Sequence, residues 1–198
     1  MKSNLLGHNE LLAQEPDLKR LQDAYALLST DTPRALMELE DLAKSGSVTS
    51  MGYLGKTYKD GSYADPVKAE RWLIAAYERG SLNAALSLGG IYYRQGSFDL
   101  AEKMFTDGAL NGNGAAMYWL ARIYMRGRVT EEKYSKIKDL LEDATAQGQI
   151  RAKNSLAFLL MKGRYGIKNV PRGVYLYFSS LIDAFKVGVR NPDDPRLW

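Results

Sequence analysis

Residues 54–80 read LGKTYKDGSYADPVKAERWLIAAYERG, and this stretch decides the fold. Its first part has the spacing of an amphipathic helix. Leu54, Gly55 and Tyr58 fall on one face because residues at i, i+1 and i+4 are neighbours on a helical surface. The small residue allows a second helix to approach closely, while the leucine and the tyrosine fill the space around that contact. The pattern therefore predicts a helix that packs against another helix.

The second part of the same stretch has the signals of a following helix. Asp65 is a residue type favoured at a helix N-cap, and Pro66 is favoured at the first helical position. Gly80 is the residue type that ends a helix in the left-handed conformation. Between these signals, an apolar stripe is formed by Ala69, Trp72, Ala75 and Ala76. Residues 54–80 therefore predict a pair of helices.

The pattern recurs along the chain. Gly46, Gly80, Gly112 and Gly148 start successive units, so the units are 34, 32 and 36 residues long. A leucine follows each starting glycine by eight residues, then a small residue, and three residues later a tyrosine or, once, a leucine. These residues are Leu54, Leu88, Leu120 and Leu156, then Gly55, Gly89, Ala121 and Ala157, then Tyr58, Tyr92, Tyr124 and Leu160. Glycines then end most of the first helices: Gly61, Gly96, Gly127 and Gly163. A repeat of this length predicts stacked helix pairs.

The repeat extends toward both ends of the chain. Leu21 and Tyr25 precede Leu54 and Tyr58 by 33 residues and indicate a degenerate first unit. The stretch 170–173, Val-Pro-Arg-Gly, is expected to open the last helix. We therefore predict an all-α fold, a right-handed α/α superhelical solenoid of about five antiparallel helix pairs. Its expected limits are residues 16–188, with an N-terminal extension at 1–15 and a C-terminal tail at 189–198.

These residues resemble the Sel1-like repeat (SLR) family, which is related to the tetratricopeptide repeats. The match is most specific over residues 54–80 and looser elsewhere, since Ala121 and Ala157 replace the family glycine and Leu160 replaces the tyrosine. Members of the family act as adaptors that assemble protein complexes. The resemblance implies that class of role and nothing finer, because a fold alone does not specify a function.

The composition argues against several kinds of chemistry. The chain has no cysteine and a single histidine, His8, which lies outside the predicted repeats. We therefore expect no enzymatic activity, no catalytic residues, no metal site and no cofactor. The N-terminus lacks an apolar run of signal-peptide length, and no segment is apolar enough for membrane insertion. A cytoplasmic location is expected, or a periplasmic one if a leader has been removed.

Helical repeat arrays bind through a concave surface formed by the first helix of each pair. The resemblance to tetratricopeptide repeats implies that the third, sixth, tenth, thirteenth and fourteenth residues of each unit face this surface. Of the twenty positions, seven are basic and one is acidic. The candidate partner-binding residues are Lys56, Lys59, Tyr93, Arg94, Tyr118, Arg122, Arg126, Arg151, Phe158 and Lys162.

Arginine presents forked donors to carboxylates, and aromatic rings provide apolar anchoring. The leading hypothesis is a non-enzymatic scaffold or adaptor that binds an acidic peptide or protein surface in this groove. One alternative is an immunity or inhibitor protein that blocks a toxin or an enzyme through the same groove. Another is a nucleic-acid-binding repeat protein, which the net charge of only +4 and the lack of an RNA-recognition signature disfavour. The sequence does not predict an oligomeric state.

Overall fold

The computed structural model describes residues 4–126 and 129–190, except for the side chain of Arg190. These residues form eleven α-helices and no strand. The helices are α1 His8–Ala13, α2 Leu18–Leu27, α3 Thr32–Lys44, α4 Val48–Lys59, α5 Pro66–Glu78, α6 Leu82–Arg94, α7 Phe98–Leu110, α8 Gly114–Tyr124, α9 Glu131–Ala146, α10 Ile150–Met161 and α11 Val170–Arg190. The predicted all-α repeat fold is confirmed. Most of the predicted tail, from residue 191 onward, lies outside the described residues.

The chain divides into two compact units, Met1–Asn111 and Gly112–Trp198. In the first unit, α2 pairs with α3, α4 with α5 and α6 with α7. In the second unit, α8 pairs with α9 and α10 with α11. Short connections join the two helices of each pair, so the two run antiparallel. The five predicted pairs are therefore present as three pairs and two pairs.

The predicted helix boundaries hold at the caps. The Asp65 carboxylate accepts a hydrogen bond from the backbone N–H of Lys68 at 3.0 Å, so α5 begins at Pro66 as expected. Asp31 caps α3 in the same way, and Val170 opens α11. The predicted turn glycines that the structure describes all have positive φ: Gly46, Gly61, Gly80, Gly96, Gly112, Gly148 and Gly163. A left-handed glycine therefore follows nearly every helix at the predicted place, with Gly127 outside the described residues.

The repeated leucine is the centre of the packing in each of the four repeats. Leu54, Leu88, Leu120 and Leu156 have exposed fractions of 0%, 1%, 4% and 1%. The stripe on α5 is centred on Leu73, which is 1% exposed, while Trp72 is only half-buried. The sequence pattern had assigned Trp72 to the stripe and left Leu73 out. The register of the first helices is correct. On α5, Ala69 and Ala76 are buried as predicted, at 1% and 0% exposed, and the difference is that Leu73 rather than Trp72 lies between them in the core.

Tyrosines of the repeat hydrogen-bond to carboxylates on other helices. The Tyr58 hydroxyl donates to Glu40 at 3.0 Å, and Tyr77 donates to Asp107 at 2.5 Å. Tyr92 bonds to Glu70. Burial, together with these hydrogen bonds, raises the pKa of each of the three tyrosines to about 12. These hydroxyls therefore form hydrogen bonds at the boundary between the apolar core and the polar surface.

This arrangement predicts a loss of stability in alkali. The ordinary tyrosine pKa is about 10, so between pH ~10 and ~12 the folded hydroxyls keep protons that the unfolded chain has lost. Their stabilisation is complete below pH ~10 and disappears as the pH rises through ~12. The melting temperature is expected to fall across this window, and to fall less steeply in Tyr77→Phe, which releases about one proton fewer on unfolding. Tyr63→Phe, at an exposed tyrosine, is the control, and equal slopes in the two variants would contradict this origin.

The N-terminal residues pack on the first unit. The backbone N–H of Leu6 donates to Gly80 at 2.7 Å, and the N–H of Leu82 donates back to Leu6 at 3.1 Å. Leu11 in α1 is 6% exposed, and Ser47 donates to the Glu15 carboxylate at 2.9 Å. The N-terminal segment thus adds to the first unit a short helix and a bridge to the turn between α5 and α6.

Candidate functional site

A cavity of about 500 Å³ opens between the first helices α2 and α4 of the first unit. Its polar lining includes Lys56, Lys59 and Asp60, and its apolar lining includes Tyr25 and Tyr53. The Lys59 ammonium lies 3.3 Å from the Asp60 carboxylate, while the side chain of Lys56 is exposed. Two predicted site residues therefore lie together beside two aromatic rings.

The two tyrosines of this cavity are in ring contact. The Tyr25 and Tyr53 ring centroids are 4.6 Å apart, and the ring centroid of His8 in α1 lies 6.1 Å from that of Tyr53. Burial raises the pKa of Tyr53, with smaller contributions from Tyr25 and Glu15. Tyr25 is 50% exposed, although the repeat pattern had aligned it with the buried Tyr58. The reason is that no helix pair precedes α2 within the described residues to cover this ring.

Tyr93 and Arg94 lie at the end of α6. The ring of Tyr93 meets that of Phe98 edge-on with a centroid distance of 5.6 Å. Tyr93 is half-buried, and Arg94 is exposed at the last helical position. Tyr93 therefore belongs partly to the contact between α6 and α7, while Arg94 projects a charge at the surface.

In the second unit, two arginines converge on two rings. The guanidinium carbon of Arg122 lies 4.9 Å from the centroid of Trp119 and 5.9 Å from that of Tyr118. The guanidinium carbon of Arg151, on α10, lies 5.5 Å from Tyr118 and 5.8 Å from Trp119. Arginine over an aromatic face within about 6 Å is attracted by the ring quadrupole. We call Tyr118, Trp119, Arg122 and Arg151 the arginine–aromatic cluster.

The remaining predicted residues of this unit are exposed. Phe158 is 52% exposed, and the Lys162 ammonium lies 4.3 Å from its ring centroid. Arg151, Phe158 and Lys162 are spaced by seven and four residues, so they share one face of α10. Arg126 follows α8 and is also exposed. This face presents cations next to an aromatic side chain.

Comparison with solved structures identifies the architecture of this chain. No protein-family model and no curated protein matches the sequence. A Sel1 repeat protein from Oxalobacter formigenes superposes with a TM-score of 0.73 at 16% identity, over 93% of this chain and 85% of that one. The chain has the SLR fold. The protective antigen c5321 of uropathogenic Escherichia coli, which displays the same fold, superposes with a TM-score of 0.67 at 17% identity over 90% of this chain. This chain spans about half of that protein, 47%.

Within the SLR fold, the predicted surface positions need one adjustment. Tyr118 is 7% exposed and Thr49 4%, so these two third- and sixth-position side chains belong to the packing. The rings of Tyr53 and Trp119 lie one residue after the sixth position and were missed. Both follow a residue that had been assigned to the groove, Gly52 and Tyr118. The sequence signal for both rings is an aromatic residue directly after the sixth position.

Two further properties concern the described residues only. None of the helices between residues 4 and 190 combines the length and apolarity required to span a bilayer. Over the same residues, no group of three or more acidic or histidine side chains is arranged to hold a metal ion. A separate point concerns Lys153 on α10. Its ammonium is paired within the second compact unit, because it lies 2.6 Å from both the Ser179 hydroxyl and the Asp183 carboxylate.

Proposed function

We propose that this SLR chain is a non-enzymatic protein-interaction scaffold whose first helices bind an acidic peptide or protein surface. The observation that carries the proposal is the environment of the Arg151 guanidinium. Its guanidinium is held over Tyr118 and Trp119, and among the described residues no carboxylate forms an ion pair with it. A cation that is positioned by rings and forms no ion pair with the described carboxylates is suited to a carboxylate from a partner.

The surroundings of Arg151 provide more than charge. Phe158 is exposed on the same helix, and aromatic side chains carry much of the affinity in protein interfaces. Charge pairs mainly raise the association rate and select the partner. An acidic segment with interspersed apolar side chains fits this surface better than a purely acidic one. In the first unit, the cavity between α2 and α4 offers the same combination through Lys56 and Tyr53.

The test uses short fluorescein-labelled peptides in which Asp or Glu alternates with Leu or Phe. Matched peptides carry Lys in place of the acids. We expect the acidic peptides to bind more tightly, and the binding to weaken as salt shortens the Debye length below about 8 Å. Replacing both Arg122 and Arg151 by Glu is expected to weaken the binding at least about tenfold, because two attractions become repulsions.

The matched control reverses two charges elsewhere. Arg34→Glu with Arg71→Glu changes the net charge equally, at exposed positions on the second helices α3 and α5. Far-UV circular dichroism verifies that both double variants keep their helicity. The proposal fails if the two variants lose binding equally, or if the acidic and basic peptides bind alike. Preferential binding of a single-stranded oligonucleotide over the acidic peptides would support the nucleic-acid alternative instead.

A further inference from the structure

The last helix of the second unit, α11, exposes a continuous apolar stripe. Its members recur at the spacing of one helical face, i, i+1, i+4, i+7, i+8, i+11 and i+15. They are Val174, Tyr175, Phe178, Leu181, Ile182, Phe185 and Val189, with exposed fractions of 41%, 70%, 60%, 47%, 55%, 72% and 69%. We call these seven residues the α11 stripe. The opposite face of α11 is already used, since Gly173 and Ser180 are buried against α10.

The size of the α11 stripe calls for a partner. Its side chains leave roughly 800 Å² of accessible surface, more than the largest apolar patch of a typical monomer and about the area that each partner buries in a standard protein interface. The charged residues within the span of the stripe are Asp183 and the exposed Lys186. Asp183 is held by Lys153 at 2.6 Å, so the helix offers no free acid along this face. A partner for the stripe must therefore present an apolar surface of matching extent.

The order of residues in the stripe identifies that partner. Read from either end toward a midpoint between Leu181 and Ile182, the residue types repeat: a valine at 174 and at 189, a phenylalanine at 178 and at 185, and a branched aliphatic residue at 181 and at 182. Six of the seven stripe residues follow this symmetry, and the seventh, Tyr175, falls opposite Gly188 along the helix axis. Such a stripe matches itself when a second copy of the helix runs antiparallel. Phe178 then meets the partner's Phe185, and Val174 meets the partner's Val189. Isologous interfaces of two-fold dimers have this self-complementarity.

We infer that α11 is a homodimer interface, in which two copies of this chain pack their α11 stripes antiparallel about a two-fold axis near Leu181 and Ile182. The axis places the two Ile182 side chains next to each other. It separates the two Val174 side chains by about 22 Å along the helices, given a rise of 1.5 Å per residue. The alternating spacing of three and four residues is the one with which two helices interlock side by side.

The first experiment measures the mass of the full chain by sedimentation equilibrium over a micromolar concentration range. A reversible dimer is expected. Phe178→Glu is expected to raise the dissociation constant at least about 30-fold, because it buries a charge in each half of the interface. The control is Ile167→Glu, which places the same charge on a residue that is 86% exposed outside the stripe. Circular dichroism verifies the helicity of both variants.

The second experiment tests the two-fold geometry and uses the absence of cysteine from the chain. Ile182→Cys alone is expected to form a disulfide-linked dimer on mild oxidation. Val174→Cys alone is not, whereas a mixture of the Val174→Cys and Val189→Cys chains is expected to crosslink. Efficient crosslinking of Val174→Cys to itself would mean a parallel arrangement and would overturn the inference.

The remaining outcomes concern other occupants of the stripe. If the full chain stays monomeric throughout the concentration range, the inference is wrong. If it stays monomeric and dimerises only after residues 191–198 are deleted, the chain's own terminal segment is the occupant, and the inference is equally wrong. A dimer that Phe178→Glu does not weaken places the interface elsewhere. The peptide-binding test is separate, because Phe178 belongs neither to the arginine–aromatic cluster nor to the cavity between α2 and α4.

Discussion

Leu156→Ala is expected to lower the free energy of unfolding by ~2–5 kcal/mol, the usual cost of removing a fully buried leucine side chain. Leu156 is 1% exposed and packs in the core of the second unit with Ile137, Leu141 and Leu160, which are all fully buried. Two neighbours in this core lie on α9 and one lies on α10 with Leu156 itself. Alanine would therefore leave a cavity at the junction of two helices, which neither helix can close without moving its other contacts.

Urea denaturation followed by circular dichroism measures this loss. The control is Leu110→Ala, which makes the same chemical change at a leucine that is 52% exposed on α7. Its effect is expected to stay within ~0.5 kcal/mol, as for most exposed substitutions. Because helical repeat arrays can unfold in stages, each variant is compared with the parent chain in the transition of its own unit where two transitions are resolved, the second unit for Leu156→Ala and the first for Leu110→Ala. A loss below ~0.5 kcal/mol for Leu156→Ala would contradict the register of the repeat.

The core could be predicted from the sequence because the repeat encodes it directly. The leucine of each unit must meet a neighbouring helix wherever two pairs stack, so its burial follows from the spacing alone. Leu88 and Leu156 show this, at 1% exposed each, although the residues around them differ. The turns follow for a related reason. Only glycine adopts a left-handed backbone without strain, so Gly80 had to end a helix and does so with φ of 89°.

The candidate site could be predicted less well because it depends on the rotation of each helix. A shift of one residue turns a side chain by about 100° around the axis, which moves it from the surface to the core. The missed ring of Trp119 and the buried ring of Tyr118 differ by this one step. The arginine–aromatic cluster also depends on rotamers, since Arg122 and Arg151 reach the rings from different helices. No periodicity in the sequence contains that information.

The α11 stripe illustrates a different limit on what can be predicted from the sequence. Its apolar periodicity is visible in the sequence, but a second helix of this fold is expected to be buried by the next unit, so the pattern predicts core. Only the accessible surface distinguishes a helix with a neighbour from a helix without one. Tyr25 shows the same effect in the first unit, where an aligned core position is 50% exposed. The repeats at the two ends of the described residues therefore depart from the consensus because the structure describes no further repeat packed against them.

Gly89→Ala is expected to destabilise the chain by up to ~2 kcal/mol, in spite of alanine's higher helix propensity. Two effects oppose each other at this position in α6. Alanine is favoured over glycine in a helix by about 1 kcal/mol. However, a Cβ at Gly89 would lie 2.7 to 2.9 Å from three ring atoms of Phe105. That ring is rigid and 1% exposed, so it has no free space to move into, and overpacking of this kind costs ~1–3 kcal/mol or more.

The neighbouring Gly90 separates the two effects. A Cβ there would meet nothing within 4 Å, so Gly90→Ala keeps the gain in helix propensity without the clash. It is expected to stabilise the chain by up to ~1 kcal/mol. The two variants have the same composition and lie on the same helix, so opposite signs in urea denaturation can come only from the approach of Phe105. If Gly89→Ala were also stabilising, α7 would pack less closely against α6 than the contact at Gly89 requires. The small residue of the repeat would then not be needed for close packing.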